Sequence, residues 1–278
     1  MNITKKRLLI YLGLSFGMAW LIFFIFIFTG HTWTGSTSEM MSLVSLGMLT
    51  PAVAHVITRK ITKEGFRLAG KDSMMLGIDL KGKKWVFFLL AMFLPVVYAT
   101  LGDGILWMIR PDAFGKADVS MFTVIMYPLL SVVSGTVLSF AAFGEEFGWR
   151  GYMMPKLIEL MGMPKALIIG GIIWGLWHAP LTCVGHNFGM DYPGFPYVGI
   201  LLMCLYCTAL GVILTFITIK TNSVWPAAFM HGVNNSMPSM LVLFMKDADY
   251  PLYVYALSLT PIVLIGVLLF IVLIKGKK

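Results

Sequence analysis

Charge is scarce in this chain. Only 12% of its 278 residues are Asp, Glu, Lys or Arg, against about 25% in a soluble domain. Cysteine is nearly absent too. Cys183, Cys204 and Cys207 are an odd count, all inside apolar stretches, so they give no disulfide framework. Cys204 and Cys207 form C-x-x-C, which reads as two small residues on one face of a membrane helix rather than a redox or metal pair. H-E-x-x-H does not occur, so the common zinc-hydrolase signature is missing. G-x-S-x-G does not occur either, and no serine stands out as a nucleophile. Cys183 follows His178 by five residues, a spacing that does not place both on one helical face. No repeat or low-complexity segment is visible. Residues 8–28 are too long and too apolar for a cleavable leader and read as a first anchor.

Apolar residues are what the chain has in abundance. They make up 58% of it, including 21 Met and 20 Phe, and the mean hydropathy is +0.85. Such a composition belongs in a bilayer. A span needs about 20 mostly apolar residues, and eight segments qualify: 8–29, 40–58, 85–109, 122–147, 165–184, 197–219, 224–245 and 251–274. Residues 150–163 read as a short surface helix between the fourth and fifth spans. Residues 59–84 read as a polar linker with room for a short helix, and 185–196 as an irregular loop rich in Gly and Pro. The expected fold is all-α: a single polytopic domain over 1–278, its motif-bearing core at 122–245, with an active-site cavity opening to the cytoplasm.

The distribution of positive charge orients this layout. With the N-terminus inside, 18 of the 21 Lys and Arg residues fall on cytoplasmic pieces, and only Arg110, Lys116 and Lys246 on outer ones. That is the positive-inside pattern. It predicts cytoplasmic termini, and it accounts for the net charge of +8 without a nucleic-acid partner.

Ionisable residues inside spans are costly and by default mark function. The fourth span ends in Glu145 and Glu146, with Arg150 just beyond. The fifth carries His178, and the seventh His231 and Asn235. Glu146 and Arg150 are four apart, a spacing that pairs them on a helix. Glu145 then points about 100° away, free to face a cavity. A solvated helix end would explain both carboxylates equally well. His178 lies one turn beyond Trp174; a lone His of this kind is more often a packing residue. His231 and Asn235 share a face, and they suit either an oxyanion or a bridge between helices. Together, a carboxylate, a His and a His/Asn donor pair suffice for hydrolysis by activated water. Glu145, His178 and His231 would also suffice for zinc. His178 sits about 20 Å along its span, deep compared with Glu145.

At these residues the sequence resembles the type II CAAX prenyl endopeptidases, the CAAX protease and bacteriocin-processing family of intramembrane proteases. Three motifs carry the resemblance: Glu145-Glu146-x-x-x-Arg150, Trp174-x-x-x-His178 and His231-x-x-x-Asn235. It implies that Glu145 activates water and His178 holds or polarises it. It implies that His231 and Asn235 line an oxyanion hole, while Glu146 and Arg150 shape the site. Trp174, where the family more often has Phe, would line the substrate path. No obligate metal is implied. The substrate would be a peptide or membrane-protein segment, and the chain's size is that of the bacterial members, at the cytoplasmic membrane. Two rival readings stand beside this one. A non-catalytic immunity or peptide-binding protein could keep the same fold, and a transporter could use Asp103 and His55 in an ion relay. Inverted repeats, frequent in transporters, are not visible, and Asp103 and His55 are expected at helix ends.

Overall fold

The computed structural model describes residues 2–31, 38–70, 72–111, 120–237 and 252–276. Every regular element among them is helical. In chain order these are α1 (Ile3–Phe28), α2 (Ser38–Ile61), α3 (Trp85–Ile109), α4 (Met121–Gly148), α5 (Met154–Met161), α6 (Met163–Trp177), α7 (Ala179–Thr182), α8 (Tyr197–Thr221), α9 (Trp225–Ser236), α10 (Leu252–Ser258) and α11 (Thr260–Lys275). Among the described residues, four helices are long and apolar enough to cross a membrane: α1, α3, α8 and the rod Met121–Met161. Met163–Trp177 and Thr260–Lys275 are shorter apolar helices. The chain is an integral membrane protein, helical in every regular element among the described residues. The stretch 238–245 of the seventh expected span lies outside the described residues.

Local chemistry sets most helix boundaries. The Ser120 hydroxyl accepts the Thr123 N–H at 3.1 Å and opens α4. Prolines occupy the first turn of α6, α9 and α11, where a missing N–H costs nothing. Gly162, at φ +77°, lets the chain turn between α5 and α6.

Several expected elements differ; among them, 251–274 is interrupted at Leu259 between α10 and α11, and α9 ends at Ser236 within the expected span 224–245. Residues 150–163 are not a separate surface helix. The α4 rod continues through a π-helical turn, Trp149–Met153, into α5, and Arg150, Tyr152, Met153 and Leu157 are buried. Pro155 is the physical cause. It has no N–H for the Gly151 carbonyl and its ring would clash there, so the preceding turn widens. Nor is 165–184 one helix. It breaks at His178, ahead of Pro180, and resumes as α7. The Trp20 indole of α1 donates to the Trp177 carbonyl at this break, at 3.1 Å.

Small residues bring the site-bearing helices together, as is usual in membranes. A Cβ on Gly232 of α9 would run into the Gly135 and Ser139 backbone of α4. One on Gly171 of α6 would run into Thr208 of α8. Two close crossings follow, α4 on α9 and α6 on α8.

The linker between α2 and α3 forms turns rather than a helix among its described residues, and it is tied down. The Met75 carbonyl accepts the Val224 N–H at 2.9 Å, and the Leu76 carbonyl accepts the Trp225 indole at 3.1 Å.

Candidate active site

The two carboxylates at the end of α4 are both buried, Glu145 at 2% and Glu146 at 0% exposure, so a solvated helix end does not describe them. Arg150 Nη1 lies 2.9 Å from Glu146 Oε1, as the spacing predicts. The same oxygen is 2.8 Å from His231 Nδ1. Glu146 therefore joins α4, the π-helical turn and α9 through one atom. Arg150, counted above with the cytoplasmic cations, is 3% exposed and packs its guanidinium over the Trp174 ring, 4.0 Å from the centroid.

Glu145 points elsewhere. Its Oε2 accepts the Trp174 indole N–H at 2.6 Å and the Trp149 indole N–H at 3.3 Å. Neither bond uses Oε1. Glu145 lines a cavity of about 480 Å³, together with Trp174, His178, His231, Asn235 and apolar side chains such as Met48 and Leu210. Glu146 and Arg150 stand behind this wall. The concern about the depth of His178 is thus met: Trp174 reaches Glu145 across the bundle, and His178, one turn further, lines the same space.

His178 Nδ1 is 2.9 Å from the Trp174 carbonyl. A carbonyl only accepts, so Nδ1 carries the proton, an assignment made from the partner. Nε2 is then the acceptor of the neutral ring. Cys207 is the nearest thiol, with Sγ 3.9 Å from the same Nδ1.

His231 and Asn235 share a face of α9, as expected from their spacing, and both line the cavity. His231 turns its Nδ1 to Glu146, and among the described residues no three His, Cys, Asp or Glu side chains are grouped to hold a metal ion.

Sequence reasoning noted Asn234 in the seventh span without giving it a role, and left several other residues out. Asn234 Oδ1 accepts the hydroxyls of Tyr98 and Tyr206 at 2.6 and 2.7 Å, and its Nδ2 donates to Asn235 Oδ1 at 3.1 Å. Tyr206 lies 28 positions away and Tyr98 lies 136 away, so no local pattern could have joined them. His186, from the loop expected to be irregular, stacks on His178 at 6.0 Å and lines the cavity with Asn187.

Neither His55 nor Asp103 sits at a helix end. Both are buried within α2 and α3. His55 gives Nδ1 to the Phe147 carbonyl at 3.0 Å, at the entry to the π-helical turn, and accepts Arg59 Nε at 2.7 Å.

Comparison with known proteins bears on this same region. Residues 125–237 match the family described as type II CAAX prenyl endopeptidase Rce1-like, a segment that runs from α4 to just past α9. A curated relative, CAAX prenyl protease 2 of Methanococcus maripaludis, is 32% identical over 108 residues. The match covers 38% of this chain and 40% of the relative, so the chain spans well under half of the length of the relative it matches. Glu145, Glu146, Arg150, Trp174, His178, His231 and Asn235 all lie inside the matched segment.

Proposed function

From a segment 125–237 that matches the type II CAAX prenyl endopeptidases, we propose that this chain is an intramembrane endopeptidase using activated water. The observation that carries the reading is that Glu145 and His178 share one cavity with His231 and Asn235. Glu145 takes a proton from water held between its carboxylate and His178 Nε2. The resulting hydroxide attacks the peptide carbonyl carbon. Negative charge then grows on the carbonyl oxygen, where His231 and Asn235 serve as donors. His231 Nδ1 gives its proton to Glu146, so Nε2 is the ring nitrogen left for substrate, and it donates to the oxyanion only in the doubly protonated ring. The proton held by Glu145 passes to the amide nitrogen as the C–N bond breaks, leaving a free carboxyl and a free amine. Glu146 and Arg150 act through others: they hold His231 and the Trp174 ring in place.

The substrate is a peptide or a membrane-protein segment entering from the bilayer. Apolar cavity walls such as Met48, Leu138 and Leu210 suit apolar side chains beside the scissile bond. The Lys/Arg asymmetry supports a topology of eight spans with both termini in the cytoplasm, as in a bacterial cytoplasmic membrane. That topology puts Glu145 at the cytoplasmic end of α4, while His186 and Asn187 extend the cavity toward the other face.

The test uses purified wild type and Glu145→Gln with a peptide library in micelles, read by mass spectrometry with and without a chelator. Cleavage by the wild type alone, unaffected by chelation, is the expected result. Cleavage by Glu145→Gln would overturn the assignment of the base. Loss of cleavage on chelation would bring in a metal that this mechanism does not use. A wild type that binds peptides without cutting them would favour the immunity or peptide-binding reading.

A further inference from the structure

Asn234 is adjacent to a proposed oxyanion donor and lines the same cavity, but its amide is held by a different set of partners. Successive residues on a helix diverge by about 100°, so Asn235 shares the face of His231 while Asn234 turns toward α3 and α8. There it meets two phenols on one oxygen, Tyr98 at 2.6 Å and Tyr206 at 2.7 Å. These lengths decide the orientation of the amide. They are typical of O–H···O bonds and short for N–H···O, so the atom facing the phenols is the carbonyl oxygen, and both hydroxyls donate to it. The amide nitrogen of Asn234 is thereby turned the other way, and it donates to Asn235 Oδ1 at 3.1 Å.

We propose that Tyr98, Tyr206 and Asn234 form a polarity relay that sets the amide of Asn235, fixing its nitrogen rather than its oxygen as the group offered to the cavity. The inference rests on the hydrolase reading for its kinetic consequence, but not for its structural one. An asparagine is nearly symmetric in shape, and unaided it could present either end. An oxyanion is stabilised by N–H and repelled by C=O, so a flipped Asn235 would oppose the reaction that it is placed to assist. The two phenols, held on separate helices, remove that ambiguity from two residues away. Tyr98, Tyr206 and Asn234 are thus positioning residues: they act through Asn235.

Asn234→Asp tests this directly. The substituted carboxylate has nearly the same shape and still accepts both phenols, but it offers Asn235 an acceptor instead of a donor. Asn235 should then rotate to donate to it, and its nitrogen leaves the cavity. With a cleaved peptide from the library, kcat should fall to the level of Asn235→Ala, about 10²–10³-fold, with KM little changed. Adding Asn235→Ala to Asn234→Asp should cost nothing further. Independent, multiplicative losses would overturn the relay, as would an unchanged kcat. Tyr98→Phe with Tyr206→Phe provides a second route that leaves both amides in place. It should lower kcat through a partly flipped Asn235, and Asn235→Ala should again add less than it does alone.

The structural arm needs no activity. In protein labelled with 15N-asparagine, the Asn235 side-chain NH2 pair is the one lost in Asn235→Ala. It should exchange readily with water in the wild type and become protected in Asn234→Asp. Equal exchange in both would overturn the relay. If the wild type cleaves no peptide, the hydrolase reading falls, and the exchange result alone decides the relay.

Discussion

The Trp174 indole N–H ends 2.6 Å from Glu145 Oε2, while the ring it belongs to supports the Arg150 guanidinium at 4.0 Å. One side chain therefore touches the proposed base through its edge and the charge pair behind it through its face. Both contacts suit an aromatic ring, whose edge is positive and whose face is negative. Phenylalanine, the residue expected more often at this position, would keep the face and lose the N–H.

Trp174→Phe isolates that N–H. A hydrogen bond to a charged group contributes about 1.5–3 kcal/mol. Glu145 keeps its longer bond to Trp149 but gains freedom to turn. The expected result is a fall in kcat of roughly tenfold or more with KM nearly unchanged, because the ring still lines the cavity. A change confined to KM would return Trp174 to a purely substrate-lining role.

Arg150→Ala should behave differently from Glu145→Gln. Glu146 is fully buried and its Oε1 holds both Arg150 and His231. Removing one partner of a buried pair costs about 3–5 kcal/mol, because it leaves an uncompensated charge. Arg150→Ala should lower Tm markedly in micelles, with activity lost through the fold. Glu145→Gln should remove turnover while leaving Tm within a few degrees of wild type. Equal Tm values for the two variants would remove the distinction between a charge that holds the bundle and one that works in the cavity.

Much of this division was legible from helical spacing. Glu146 and Arg150, four apart, are paired, and Glu145, one position earlier, faces the cavity, because the rod stays α-helical through Gly148. The spacing of His231 and Asn235 held for the same reason. What the sequence did not disclose depends on how helices cross. That Trp174 reaches Glu145 follows from the way α6 meets α4. The second partner of Glu146, His231, follows from the glycine contact between α4 and α9. The break at His178 and the wide turn at Trp149–Met153 could be read backwards from Pro180 and Pro155, but prolines inside spans are common enough to leave both unmarked. The buried state of Arg59 and Lys156 was hidden by the positive-inside pattern, which treats every cation near a helix end as solvated.

His186 adds a pH dependence. Burial holds it down to about 4, while in the unfolded chain it titrates near 6.5. As pH falls through that interval, the unfolded chain takes up a proton that the folded one refuses, so stability should decline from about pH 6.5 to about pH 4. Above that interval both states are neutral and the contribution vanishes. Tm measured against pH should show this slope in the wild type, and His186→Gln should flatten part of it. A slope identical in the two proteins would place the titration elsewhere.

Glu64 anchors the linker to the same rod that carries the site. Its Oε1 lies 2.6 Å from Lys156 Nζ in α5, and its Oε2 accepts the Tyr152 hydroxyl at 2.8 Å and lies 3.4 Å from Arg7 Nε of α1. Glu64→Gln keeps the size of the side chain and removes the charge, leaving Lys156 buried without its counter-ion. The expected loss is about 3–5 kcal/mol. Lys156→Met, which removes the cation and keeps an apolar stem, should recover much of that loss when combined with Glu64→Gln, since a buried pair replaced by uncharged groups is often tolerated. Thermal unfolding of the two single variants and the double variant, in one detergent, checks this. A double variant no more stable than Glu64→Gln would show that Glu64 works through Tyr152 and Arg7 instead.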